Sequence, residues 1–127
     1  MDKEFMKLPI TPMGKPRMTQ RDVWKKRDVV VRYRDFCDEL NLRLPRYELP
    51  AELTISFGLP MPKSWSAKKR ETMRMMPHDG KPDIDNLLKA FMDAFKTEDK
   101  HVYKVIATKY WSESGFISLP DVIDHDK

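Results

Sequence analysis

At 127 residues the chain is sized for one domain with a modest core, 40% of it hydrophobic, and leaves no room for a second. Its 24 Lys+Arg against 20 Asp+Glu give a net charge of +4 and a pI near 9.2, the sign that attracts a polyanion. A single cysteine, Cys37, excludes an internal disulfide, no apolar run approaches the roughly 18 residues that span a bilayer, and Met1 to Lys7 lacks the apolar core of a signal peptide; the expectation is a reducing cytoplasm and no membrane contact.

A first strand is predicted over Phe5 to Ile10, followed by a turn from Met13 to Met18 on which Lys15 and Arg17 are exposed. From Gln20 to Leu40 the apolar residues Val23, Val30, Tyr33, Cys37 and Leu40 recur at helical spacing, with Thr19 as N-cap. Ala51 to Phe57 alternates Leu53, Ile55 and Phe57 with polar residues and reads as a half-buried strand ending at Gly58. A loop from Leu59 to Ser66 precedes a short basic helix carrying Lys68, Lys69 and Arg70, and residues 77–82 are irregular. A second amphipathic helix begins near Asp83 and buries Ile84, Leu87, Leu88, Phe91 and Phe95. His101 to Trp111 alternates as a strand, Ser112 to Gly115 forms a turn, Phe116 to Leu119 completes a hairpin, and 120–127 is a loose tail. The order β-α-β-α-α-β-β argues for an α+β fold, a mixed β-sheet with helices packed on it, in a single domain over residues 1–127.

Charge is distributed in blocks. Residues 1–34 carry ten Lys/Arg against four Asp/Glu and residues 61–82 six against two, whereas residues 83–127 carry six against nine. The two basic blocks flank a run, Lys81-Pro82-Asp83-Ile84-Asp85-Asn86-Leu87-Leu88-Lys89, in which acid is concentrated at a helix entrance. Asp-x-Asp there supplies clustered hard oxygen ligands, which suit a divalent cation such as Mg²⁺ acting on a phosphate ester. Basic surface beside such a site points to a metal-dependent nuclease.

Each of these residues also has an ordinary structural reading. Asp83 after Pro82 is a good N-cap, and acid in a first turn complements the helix dipole. Lys89 lies four residues from both Asp85 and Asp93, so an i,i+4 ion pair competes with a role in stabilising charge on a phosphoryl group. Glu98 and Asp99 offer further carboxylates or a charged turn. An EF-hand is excluded, because Leu87 occupies the fifth position from Asp83 and no glycine follows at the sixth. His78 and His101 flank the acids as loop histidines, Trp24 and Trp111 read as packing residues, and Trp65 is the better candidate for stacking on DNA.

The run from Lys81 to Lys89, followed by Asp93-Ala94-Phe95, resembles the signature of the RusA-type Holliday-junction resolvases, especially their phage-borne relatives. Pro12-Met13-Gly14-Lys15-Pro16-Arg17 resembles the family's basic N-terminal loop, Met61 to Ser66 its middle segment, and Lys109 before Trp111 its late strand, so that the likeness spans about residues 8–119. It implies a homodimeric, Mg²⁺-dependent endonuclease that places paired nicks in four-way DNA junctions, in DNA recombination and repair. By position it implies Asp83, Asp85 and Asp99 as metal ligands and Lys89 as the catalytic lysine, with Asn86 and Asp93 alongside. The later acids depart from the family pattern: Glu98-Asp99-Lys100-His101 stands where two adjacent aspartates, a small residue and Gln are common. Lys15, Arg17, Lys68, Lys69 and Arg70 are expected to contact phosphates. The altered late segment also admits a protein that binds junctions without cutting them, and a third possibility is a basic interaction protein whose acids are all caps and ion pairs.

Overall fold

The computed structural model describes residues 5–17, 28–95 and 100–123 and runs β1 (Phe5–Leu8), α1 (Asp28–Arg43), β2 (Glu52–Pro60), α2 (Ala67–Met73), α3 (Ile84–Asp93), β3 (Lys104–Ser112) and β4 (Phe116–Ile123). This is the expected order of elements. The strands form one open mixed sheet in the order β1-β4-β2-β3, with β2 parallel to β3 and antiparallel to β4. An α+β architecture follows.

The expected hairpin does not form. β3 and β4 lie on opposite sides of β2, and the turn at residues 113–115 crosses the end of β2, where the Met61 amide donates to Ser112 O at 2.9 Å. β2 also continues through Gly58 to Pro60 instead of stopping at the glycine. Gly58 pairs with Phe116, and a Cβ at position 58 would collide with the Phe116 ring, so the glycine seats an aromatic side chain across the strand pair. β4 likewise runs past Pro120 to Ile123, the register with β1 shifting between Phe5 and Met6 to accommodate it; a loose tail from residue 120 is therefore corrected.

One face of the sheet carries the core. Leu53, Ile55, Phe57 and Leu59 of β2 pack with Leu8, Ile117 and Leu119 and are covered by Tyr33, Phe36 and Leu40 of α1 and Leu87, Ala90 and Phe91 of α3. Phe36 fills the site expected for Cys37, which is only half-buried; Thr19, Val23 and Trp24 lie outside the described residues. Ser56 and Thr108 join their hydroxyls at 2.7 Å on the alternate positions of β2 and β3, as strand periodicity requires. No helix among the described residues is long and apolar enough to cross a membrane.

Candidate active site

α3 is amphipathic and firmly anchored. Leu87, Ala90 and Phe91 are buried, with Ala94 and Phe95 just beyond the helix; Tyr47 meets the Phe91 and Phe95 rings at 6.0 and 5.0 Å. At its C-terminal end Asn41 of α1 donates to Ala94 O at 2.7 Å, satisfying a carbonyl the helix leaves open. The polar flank, with Asp85, Asn86, Lys89 and Asp93, is thereby held outward.

Asp83 occupies the N-cap position in extended conformation (φ −67°, ψ 150°), and its backbone oxygen accepts from the Asn86 and Leu87 amides, both at 3.1 Å. Its carboxylate makes no capping bond. Among the described residues the side chain is met by the exposed Lys81 ammonium alone, at 3.3 Å. The Asp85 carboxylate, also exposed, accepts from the Asn86 amide at 2.9 Å. Among the described residues Lys89 forms no ion pair, so the i,i+4 bridges to Asp85 and Asp93 are not made.

Opposite this flank stands the loop after β1. Gly14 lies so close to α3 that a Cβ there would collide with Asn86 Nδ2, forcing that side chain aside, and meet Pro82 Cβ at 3.4 Å. Lys15 then reaches Asp93 at 2.6 Å. Between loop and helix is a cleft of about 400 Å³ lined by Lys15, Pro16, Arg17, Asn86 and Lys89. Three cations in one cleft beside two exposed carboxylates suit a phosphodiester held next to a metal.

The other expected phosphate contacts lie on α2, none of whose residues is fully buried and whose N-terminus is capped by Ser66 Oγ, accepting from the Lys69 amide at 3.1 Å. Lys68 is exposed. The Lys69 ammonium sits 4.3 Å from the Trp65 ring centre, and Trp65 in turn packs on Trp111 at 4.7 Å. Arg70 is engaged within the protein, donating to Pro62 O at 2.6 Å and to Glu113 at 3.1 Å; Arg74 shares that carboxylate at 2.7 Å and with Arg70 holds it below the usual carboxylate pKa. None of the α2 cations lines the cleft.

The two loop histidines that flank the acids have defined places. His78 is buried against the Trp111 ring at 4.2 Å, and the His101 ring bonds Leu49 O. Sequence reasoning missed the part played by Lys109, whose Nζ donates to Gly80 O at 2.7 Å and Pro82 O at 2.9 Å, immediately before Asp83. Its signal was a charged residue at a strand position whose register partner, Phe57, is in the core.

A family model described as Endodeoxyribonuclease RusA matches residues 9–119. The chain belongs to the RusA family. Neither a curated protein nor a solved structure matches it. The RusA match runs from the basic loop through both acids of the α3 entrance and into β4, close to the span the sequence resemblance covered. Membership makes this chain an endodeoxyribonuclease of the Holliday-junction-resolving class.

RusA nucleases are generally dependent on a divalent metal, and the donor chemistry here fits one: Asp83 and Asp85 offer hard carboxylate oxygens, and Asp83 is not consumed by capping. Among the described residues no group of three potential ligands gathers; Glu98 and Asp99 lie outside them.

Proposed function

We propose that the chain is a Mg²⁺-dependent, structure-selective endodeoxyribonuclease that resolves four-way DNA junctions by paired phosphodiester hydrolysis, in recombination and repair within a bacterial or phage-infected cytoplasm. Residues 1–127 form one RusA-like domain, and two copies supply the two sites that paired nicks require. The observation that carries this reading is Asp83, a carboxylate at a helix N-cap that caps nothing, followed by Asp85 on the helix whose Asn86 and Lys89 line the basic cleft.

In this reading Asp83, Asp85 and Asp99 hold the metal, and Lys89 places its ammonium at the phosphate oxygens where negative charge develops. When bound, Mg²⁺ supplies Lewis acidity toward the phosphoryl group and eases deprotonation of the attacking water. Lys15 and Arg17 hold the flanking backbone, and Lys68 and Lys69 extend the basic surface along the arms without reading sequence. Arg70, bonded to Pro62 O and Glu113, belongs to the same basic surface and also fixes α2 to Glu113.

The test is a labelled mobile four-way junction incubated with the protein in Mg²⁺ or EDTA. Paired symmetric nicks in Mg²⁺ alone, abolished by Asp85→Asn with junction binding retained, are the expected result, and Lys89→Ala should slow cleavage by roughly 10²–10³-fold. Binding without nicks would make this a recognition protein.

A further inference from the structure

β3 places Lys109 on the helix-bearing face of the sheet, since its register partner Phe57 is fully buried. Lys109 is half-buried there, and partial desolvation favours a position in which its donors find acceptors. Here two of them do, in carbonyls of the segment that leads into α3: Gly80 O at 2.7 Å and Pro82 O at 2.9 Å. The same strand grips this segment along its length. Trp111 O accepts from the Met75 amide at 2.8 Å, the Trp111 amide donates to Met76 O at 3.0 Å, and Lys109 O accepts from the His78 amide at 3.1 Å. The ammonium thus completes a row of backbone bonds that ends one residue before Asp83.

Asp83 needs this support. Its carboxylate has no capping bond, and the exposed Lys81 contact is too weakly held to orient it. Its direction is set by its backbone, fixed downstream by the first turn of α3 and upstream at the Pro82 carbonyl. We propose that Lys109 is a positioning residue, which clamps the 80–82 segment so that Asp83 presents its carboxylate to the metal. The inference rests on the metal-ligand reading of Asp83. It predicts an effect on metal affinity that loss of a structural cross-link alone does not produce.

The experiment compares wild type, Lys109→Met and Lys109→Arg. Binding of Mn²⁺ alone is read from the free-ion EPR signal, the Mg²⁺ concentration for half-maximal junction cleavage from a titration, junction binding from a native gel in EDTA, and folding from thermal melts. Lys109→Met should weaken Mn²⁺ binding about tenfold and raise the Mg²⁺ midpoint by a similar factor, with junction binding unchanged and Lys109→Arg recovering part of the loss. A lower melting temperature with unchanged Mn²⁺ affinity and Mg²⁺ midpoint overturns the proposal while leaving the nuclease reading intact. If Lys109→Met does not fold, Lys109→Arg decides by the same criterion, a Mn²⁺ affinity equal to wild type overturning the proposal. Wild type that binds Mn²⁺ without cutting removes the nuclease reading alone, and wild type that does neither removes both.

Discussion

Lys15 spans from the loop after β1 to Asp93 at the last position of α3, with Nζ 2.6 Å from Oδ2. The basic wall of the cleft is therefore tied to the far end of the helix that carries the acids at its start. An ion pair with both partners about one-third exposed contributes little to stability, on the order of 0–1 kcal/mol. Its larger effect is to hold Lys15 at the cleft, where, in the proposed reading, a DNA phosphate would compete with Asp93 for it.

Asp93→Asn should accordingly leave the melting temperature nearly unchanged and tighten junction binding, steepening the logarithmic salt dependence by about 0.9 as Lys15 is freed to neutralise one more phosphate. Lys15→Ala should weaken binding and flatten the slope. Binding measured across a salt series checks both. Equal weakening by the two substitutions would show instead that Asp93 aims Lys15 at the DNA.

Gly14 and Gly115 both oppose a Cβ, but against different neighbours. At Gly14 the closest atom is Nδ2 of the Asn86 side chain, which can swing away; at Gly115 it is the Thr11 Cα, at 2.5 Å. Gly14→Ala should cost about 1 kcal/mol and Gly115→Ala about 2–3. Gly14→Ala should nevertheless cost more in junction cleavage, because it displaces Asn86, which lines the cleft. Combining it with Asn86→Ala should restore the stability, as chemical denaturation will report.

Comparing the two helix N-termini separates capping from chemistry. Ser66→Ala removes a real cap from α2 and should cost about 1 kcal/mol. Asp83→Asn removes none, so its stability should stay within about 0.5 kcal/mol of wild type while cleavage is abolished. Marked unfolding of Asp83→Asn would return this carboxylate to a structural role.

His78 gives the fold a pH dependence of calculable sign. Burial lowers its pKa and Lys109 lowers it further, while Asp79 acts the other way. Unfolded histidine titrates near about 6.5. The contribution of His78 to stability is therefore fully present above that pH and is lost as the pH falls toward the lower folded-state value, because the unfolded chain takes up the proton first. Melting temperatures should fall between pH 7 and 5, and His78→Gln should flatten the fall.

Much of this was legible in the sequence. Periodicity located α3 and, in Leu87, Phe91 and Phe95, the line of its buried face, though Ile84 and Leu88 are only half-buried and Ala90 is buried in addition; Ser66 marked the start of α2, and the Asp83/Asp85/Lys89 spacing picked out the flank on which Lys89 meets the cleft. What local pattern did not convey was strand adjacency. Two apolar runs joined by Ser112 to Gly115 look the same whether the strands pair or are split by β2, since the choice is made by residues some fifty positions earlier in the chain. Gly58 and Pro120 looked like strand breaks for a related reason. The ring over Gly58 and the register shift beside Pro120 are non-local accommodations, as is the pairing of a lysine on β3 with the carbonyls before Asp83.

Among the described strands β1 pairs with β4 alone, and the loop bearing Gly14, Lys15 and Arg17 issues from β1. The acids of α3, by contrast, lie within the crossover between β2 and β3 and need neither edge partner to find their helix. The basic wall of the cleft thus hangs on a pairing between the first and the last of the described strands. A lesion confined to β1 or β4 should therefore loosen the basic wall of the cleft while leaving Asp83 and Asp85 on their helix.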